Sequence, residues 1–186
     1  MEGMNLNTEQ KSILLNIAED TIESVVTARK VPDFDIKDLV LNQKCGAFVT
    51  LHTNHNLRGC IGNISAETPL WKTIKNMSVE SALNDPRFPP VSPSELKSID
   101  VEISVLSPLK KITDIKEIKV GKHGILIKKG FRHGLLLPQV ATNYGWDRIQ
   151  FLEQTCCKAG LHKDCFKENG CEIYIFSATV FSRKDL

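Results

Sequence analysis

The segment Leu57-Arg58-Gly59-Cys60-Ile61-Gly62 sets a thiol between two glycines. Glycine allows backbone conformations that other residues resist and lets a ligand approach the main chain closely. In a regular strand, residues two apart share a face, which would put Arg58 beside Cys60. A guanidinium next to a thiol lowers its pKa and favours the nucleophilic thiolate. Cys60 is therefore a candidate nucleophile or redox thiol, with Arg58, Gly59 and Gly62 as candidate ligand-binding residues. The competing reading is a small buried side chain at a bulge with a structural arginine nearby, and the residues alone favour it, since free cysteine is so often simply buried. Of the histidines, only His52 and His55 are local to Cys60. His52 is the better partner, while His55 falls in a turn and is expected to be solvated.

Three further groups could do chemistry. Asp85-Pro86-Arg87-Phe88-Pro89-Pro90 is a rigid segment that offers a carboxylate and a guanidinium at fixed positions. Glu102 lies on the polar side of an alternating strand, where it faces solvent or lines a cleft. Gln139 follows Pro138 at the end of a leucine run and could bond backbone or a ligand. For each, a structural role is the simpler expectation. Cys156, Cys157, His162, Cys165 and Cys171 lie close in sequence, but no paired CxxC spacing links them. Cys156 and Cys157 would point about 100° apart on a helix. No metal site is expected, nor an iron–sulfur cluster, nor either familiar glycine-rich phosphate loop. No cofactor is implied.

These residues need elements to hold them. Leu14, Leu15, Ala18, Ile22, Val25 and Val26 recur at helical steps, predicting an amphipathic helix from Thr8 to Lys30 with Thr8 as N-cap. Residues 45–52 and 57–62 form a β-hairpin around Thr53-Asn54-His55-Asn56. Thr68-Pro69 opens a second helix that Asp85-Pro86 ends. Residues 87–91 are extended, and Ser92-Pro93-Ser94-Glu95 has capping-box spacing ahead of a short helical turn. Asp100 to Leu106 alternates as a half-buried strand, with Val101, Ile103 and Val105 on one face. Strands at 125–127 and 135–137 are joined by a hairpin using Gly130 and Gly134. A helix over 147–159 follows with Gly160 at its end, and one apolar strand over 172–181 closes the chain. Irregularly interleaved helices and hairpins indicate α+β rather than a parallel doubly wound sheet.

Length and composition bound the rest. A chain of 186 residues, 41% hydrophobic and 25% charged, buries roughly 70% of its extended surface, enough for one core with a small lobe attached. No apolar run approaches the ~20 residues of a membrane span, and the N-terminus has no signal-peptide pattern. A soluble, cytoplasmic protein is expected. Net charge is +2, from 24 basic and 22 acidic side chains. That is too small an excess to favour nucleic acid. Six cysteines without an export signal are expected to be reduced thiols.

Several segments together resemble one family. Leu57 to Gly62 looks like the LRGCIG signature of the AMMECR family. Asp85 to Pro90 resembles its DPRFPP segment, Val101 to Leu106 its strand, and Leu135-Leu136-Leu137-Pro138-Gln139-Val140 its LLLPQV run. Trp146-Asp147 through Leu161 resembles its last helix. The motifs run in order over nearly the whole chain, in the stand-alone form most like archaeal members. Such a resemblance implies a single AMMECR-type domain over 1–186, with a larger α/β sub-lobe, a smaller sub-lobe and the signature near a cleft between them. It implies no established reaction. It associates the chain with Memo-like and radical SAM proteins, and so implies a shared pathway of protein or RNA modification. The family pattern has one cysteine where this chain has Cys156-Cys157, so Cys157 is not a required group. Cys45, Cys165 and Cys171 look like private substitutions. Two readings stand: an enzyme or enzyme component using Cys60, with Glu102 as acid/base, or a non-catalytic module. In the module, Arg58, Asp85, Arg87 and Gln139 recognise a peptide, an anion, a partner protein or RNA. A monomer or homodimer suits either.

Overall fold

Apolar residues at three- and four-residue steps make Thr8–Thr27 a helix, α1, that buries Leu14, Leu15, Ala18, Ile22 and Val25. The structure is a computed structural model of the chain and describes residues 4–64 and 67–186. Asn7, not Thr8, caps α1. Its side chain accepts from the Gln10 N–H at 2.8 Å, while Gln10 Oε1 accepts from the Asn7 N–H at 3.1 Å. The helix ends three residues short of Lys30, before Arg29 turns to φ 50°.

The hairpin is β1 (Ala47–Thr53) and β2 (Asn56–Asn63). Its two turn residues, Asn54 and His55, both have positive φ, 51° and 64°. That is the turn geometry whose twist matches a two-residue hairpin. Then come α2 (Leu70–Leu83) and β3 (Ile99–Leu106). Pro69 is the N-cap of α2 rather than its first helical residue, and the Thr68 hydroxyl sits 2.8 Å from the Thr73 hydroxyl instead of capping. The later elements are β4 (Lys110–Ile112), β5 (Gly124–Lys129), β6 (Arg132–Leu136), α3 (Pro138–Asn143), α4 (Arg148–Lys158), β7 (Glu172–Phe176) and β8 (Ala178–Ser182). The fold is α+β, with antiparallel pairing throughout the registers of β1 to β7.

The chain divides into two units, each with its own core. The larger comprises Met4–Leu106 and Thr179–Leu186 and holds a sheet in the order β2-β1-β3-β8. Alternation along β1 and β3 points Val49, Leu51, Val101, Ile103 and Val105 to one face, where all are buried beneath α1 and α2. The opposite face therefore carries Phe48, Thr50, His52, Asp100, Glu102 and Ser104.

The smaller unit, Ser107–Ala178, holds the sheet β4-β7-β5-β6 with α3 and α4. Ile125, Ile127, Phe151, Leu152, Ile173 and Ile175 form its core. Its two ends are tied together. The Ser107 N–H donates to the Ser177 carbonyl at 2.8 Å, and the Ser177 N–H donates to Ser107 Oγ at 2.9 Å.

Three expectations change here. The strand expected over 172–181 is two strands in different sheets, parted at Ser177, because the serine pair turns the backbone there. Gly134 lies inside β6 rather than in the turn. A Cβ on it would collide with the backbone of Thr155 and Ala159, so it is where α4 rests on the sheet, and Gly130 at φ 57° makes the turn. The cysteines are not all reduced: Cys156 and Cys165 form a disulfide. Both sulfurs sit in the smaller unit's core, where folding brings the end of α4 against the turn at Cys165. No helix among the described residues is long and apolar enough to cross a membrane.

Candidate functional site

Cys60 belongs to β2, whose other neighbour in its sheet is none, so β2 is an edge strand. It pairs across the hairpin with Thr50, and Thr50 pairs in turn with Glu102. Cross-strand partners share a face. The row Cys60–Thr50–Glu102 therefore crosses three strands on the side away from the helices. Thr50 donates its hydroxyl to Cys60 Sγ at 3.2 Å.

The peptide of Cys60 is held from the open side of the edge. Its N–H donates to Asp85 Oδ2 at 2.8 Å, and its carbonyl accepts from Arg87 Nη2 at 3.0 Å. Arg87 also donates to both Asp85 oxygens, at 2.9 and 2.7 Å. Asp85 is buried just past the end of α2, while the Arg87 side chain remains 48% exposed. The guanidinium, then the backbone donors, holds the Asp85 carboxyl well below the usual carboxylate range against the cost of burial. The two predicted segments thus meet, and they meet through the backbone of Cys60.

Arg58 does not join them. The pairing of β2 jumps from Gly59 to Leu57, leaving Arg58 as the extra residue of a β-bulge, and the strict alternation that would set it beside Cys60 is broken. Its side chain donates to Glu95 Oε1 at 2.7 Å and to the Pro90 carbonyl at 3.3 Å. Arg58, followed by the Ser92 N–H and hydroxyl, holds the Glu95 carboxyl down at about 2. Nor do the glycines leave open space. A Cβ on Gly59 would collide with the Ser81 carbonyl of α2, and one on Gly62 with the Phe48 ring. Protein atoms, not a ligand, take up the room that these glycines leave.

Burial pushes the Cys60 thiol up, with Asp85 and Glu102 adding to the shift. The Thr50 hydroxyl and then Arg87 oppose it. Cys60 is accordingly a thiol at neutral pH. Burial also raises Glu102, countered by His52. Among the described residues Glu102 accepts no hydrogen bond, and no histidine bonds Cys60. His52 lies one row further on, opposite Asp100, so it serves Glu102 rather than the thiol. His52, His55, Asp100, Glu102, Ser182 and Lys184 line one pocket in the larger unit, in which Lys184 pairs with Asp100 at 2.8 Å. Two residues along β3 on the same face, the Ser104 hydroxyl is buried without a partner.

Gln139 belongs to the smaller unit, in the first turn of α3, and its side-chain oxygen is likewise buried without a partner. Among the described residues no group of three or more His, Cys, Asp or Glu side chains is placed to hold a metal ion. Sequence reasoning missed Thr50 and Lys184. Thr50 had a signal, since Phe48, Thr50 and His52 share one face of a strand, but only the register sets it between a thiol and a carboxylate.

Comparison with known proteins agrees with this picture. A protein of Methanothermobacter thermautotrophicus is 43% identical over 97% of this chain and 98% of its own length. Protein NEQ441 of Nanoarchaeum equitans is 41% identical over 90% and 98%. In the crystal structure of the uncharacterized protein PH0010 from Pyrococcus horikoshii, the fold matches with a TM-score of 0.91 at 36% identity, covering 97% of this chain and 94% of that one. The AMMECR1 family model matches residues 15–181, spanning both units and every residue of the row, and the chain belongs to the AMMECR1 family.

Proposed function

We propose that the chain is an enzyme, or the reacting component of one, with Cys60 as its reacting thiol and Glu102 as acid/base on the polar face of the larger unit's sheet. One observation carries this reading: Cys60, Thr50 and Glu102 stand in register across three strands, with the thiol and the carboxyl both shifted upward by burial. Groups perturbed in this way concentrate where proton transfer is performed. Attack by sulfur requires loss of its proton; Glu102, two strands away across Thr50, takes it up as a carboxylate through a bridging water or a group of the substrate. The Thr50 hydroxyl and Arg87 then stabilise the thiolate. Asp85 fixes the Cys60 backbone and touches no substrate, and Arg58 with Glu95 braces the strand. The Memo-like and radical SAM proteins associated with the family are the partners this reading takes.

A non-catalytic module is the second reading, favoured by the half-exposed Arg87 guanidinium and by the unpartnered oxygen of Gln139. Complementation of a strain lacking its own copy of the gene separates the two. Cys60→Ala and Glu102→Gln are expected to lose function while melting within a few degrees of the parent. Full function in Cys60→Ala, with loss confined to Arg87→Ala, would overturn the enzyme reading and leave the module. Alkylation of Cys60 against pH supplies an independent readout. Glu102→Gln removes a negative neighbour, so it should lower the apparent pKa of the thiol and speed its alkylation at pH 8.

A further inference from the structure

The smaller unit gathers three sulfurs that the row on the other sheet does not use. Cys156 lies in the last turn of α4, Cys165 opens the helical turn Cys165–Lys167, and Cys171 immediately precedes β7. Cys156 and Cys165 are disulfide-bonded, and the Cys171 sulfur lies 4.0 Å from that of Cys165. Cys156 and Cys165 are 0% and 1% exposed. Cys171 is half-buried, so of the three it alone reaches toward solvent. A thiol in van der Waals reach of a disulfide sulfur is the starting arrangement for exchange.

We propose that these residues form a three-cysteine exchange site, in which Cys171 attacks Cys165 and transfers the disulfide from Cys156–Cys165 to Cys165–Cys171. The Cys171 thiol first gives its proton to solvent. Its thiolate forms a bond to Cys165 Sγ, the Cys156–Cys165 bond breaks, and the electron pair leaves on Cys156 Sγ, which takes up a proton. The step is an isomerisation with no net oxidation, so no external oxidant enters it. Its product exchanges a buried bond anchoring the end of α4 for one that reaches the surface through Cys171, where a small thiol can meet it.

The charged groups facing Cys171 are Lys129, Glu168 and Glu172. Burial raises the thiol, Lys129 opposes, and the two carboxylates add to the rise. Lys129 is itself paired with Glu168. Exchange is therefore slow at neutral pH and accelerates about tenfold per pH unit while the thiolate remains the minor form.

Trypsin leaves Cys156, Cys165 and Cys171 on three different peptides, so each linkage can be read by mass spectrometry. Cys157 shares the peptide of Cys156 and is exposed, so the full chain carrying Cys157→Ser is the material. It is incubated at pH 7, 8 and 9, quenched in acid, alkylated and mapped. The expected result is a Cys165–Cys171 linkage that appears beside Cys156–Cys165, roughly tenfold faster at each step in pH, and is absent when Cys171→Ser is added. In a second variant, Cys156→Ala, oxidised glutathione should drive formation of Cys165–Cys171. A Cys156–Cys165 linkage alone at pH 9, with Cys171 fully alkylated, would overturn the proposal. So would a Cys156→Ala protein that forms only mixed disulfides with glutathione.

Discussion

Asp85 and Arg87 do for the Cys60 peptide what a further strand would do, since an edge strand leaves one side of its backbone unpaired. The carboxylate takes the N–H and the guanidinium gives to the carbonyl. Asp85 is buried and its carboxylate accepts four bonds, so replacing it leaves several groups short of partners at once. Asp85→Asn should cost about 3 kcal/mol, read as a fall in Tm of roughly 10 °C. The pH dependence has a definite sign. The folded-state pKa of Asp85 lies below the unfolded value, so its stabilisation is present above about pH 4 and is lost as pH falls further. The gap in Tm between parent and Asp85→Asn should narrow steadily in melts taken below pH 4. Each of these residues could be picked out from the sequence, but not their roles. Asp85, Arg87 and Cys60 are 25 or more positions apart along the chain or face one another across a turn, and hydrogen bonding between them is fixed by tertiary packing that no local pattern encodes.

Elements were easier to read than contacts, and the reason is periodicity. The alternation of Val101, Ile103 and Val105 against Glu102 and Ser104 placed β3 and its polar face correctly, and the helical spacing of Leu14 to Val25 did the same for α1. Where the reading failed, one residue overrode the pattern. The bulge at Arg58 turned a shared-face argument into a wrong neighbour, and Ser177 cut an unbroken apolar run into β7 and β8. Pairing of Cys156 with Cys165 depends on where a turn folds back, which spacing does not reveal. Glycine tests this scale directly. In Gly59→Ala the new methyl meets the backbone oxygen of Ser81, and backbone cannot swing aside, so a loss of about 3 kcal/mol is expected. In Gly62→Ala the obstacle is the Phe48 ring, and adding Phe48→Ala should recover part of the loss in a urea titration. A Gly59→Ala protein as stable as its parent would mean that α2 does not pack against β2 as described.

At the scale of the molecule, the larger unit is discontinuous in sequence. Its β3 and β8 are neighbours in one sheet, and β3 ends at Leu106 while β8 begins at Ala178, so the 71 residues Ser107–Ser177 lie between them in the chain. The larger unit has its own core, to which Phe181 of β8 contributes. Replacing Ser107–Ser177 with a short glycine-containing turn should therefore leave a chain that unfolds cooperatively in urea and still holds the Cys60 thiol above its ordinary pKa. Non-cooperative unfolding would show that the larger core is not sufficient by itself. The insertion also sets a timetable on the ribosome. Helices α1 and α2 and the first three strands emerge long before their sheet can be completed, and at about 5–20 residues per second the wait for β8 lasts roughly 4–14 s. During that interval the edge of β3 is open to any passing strand, while the inserted segment, contiguous and with its ends tied by Ser107 and Ser177, can reach its native state first. Nascent chains stalled just before β8 should accordingly be the species that chaperones bind, and stalling a few residues after it should release them.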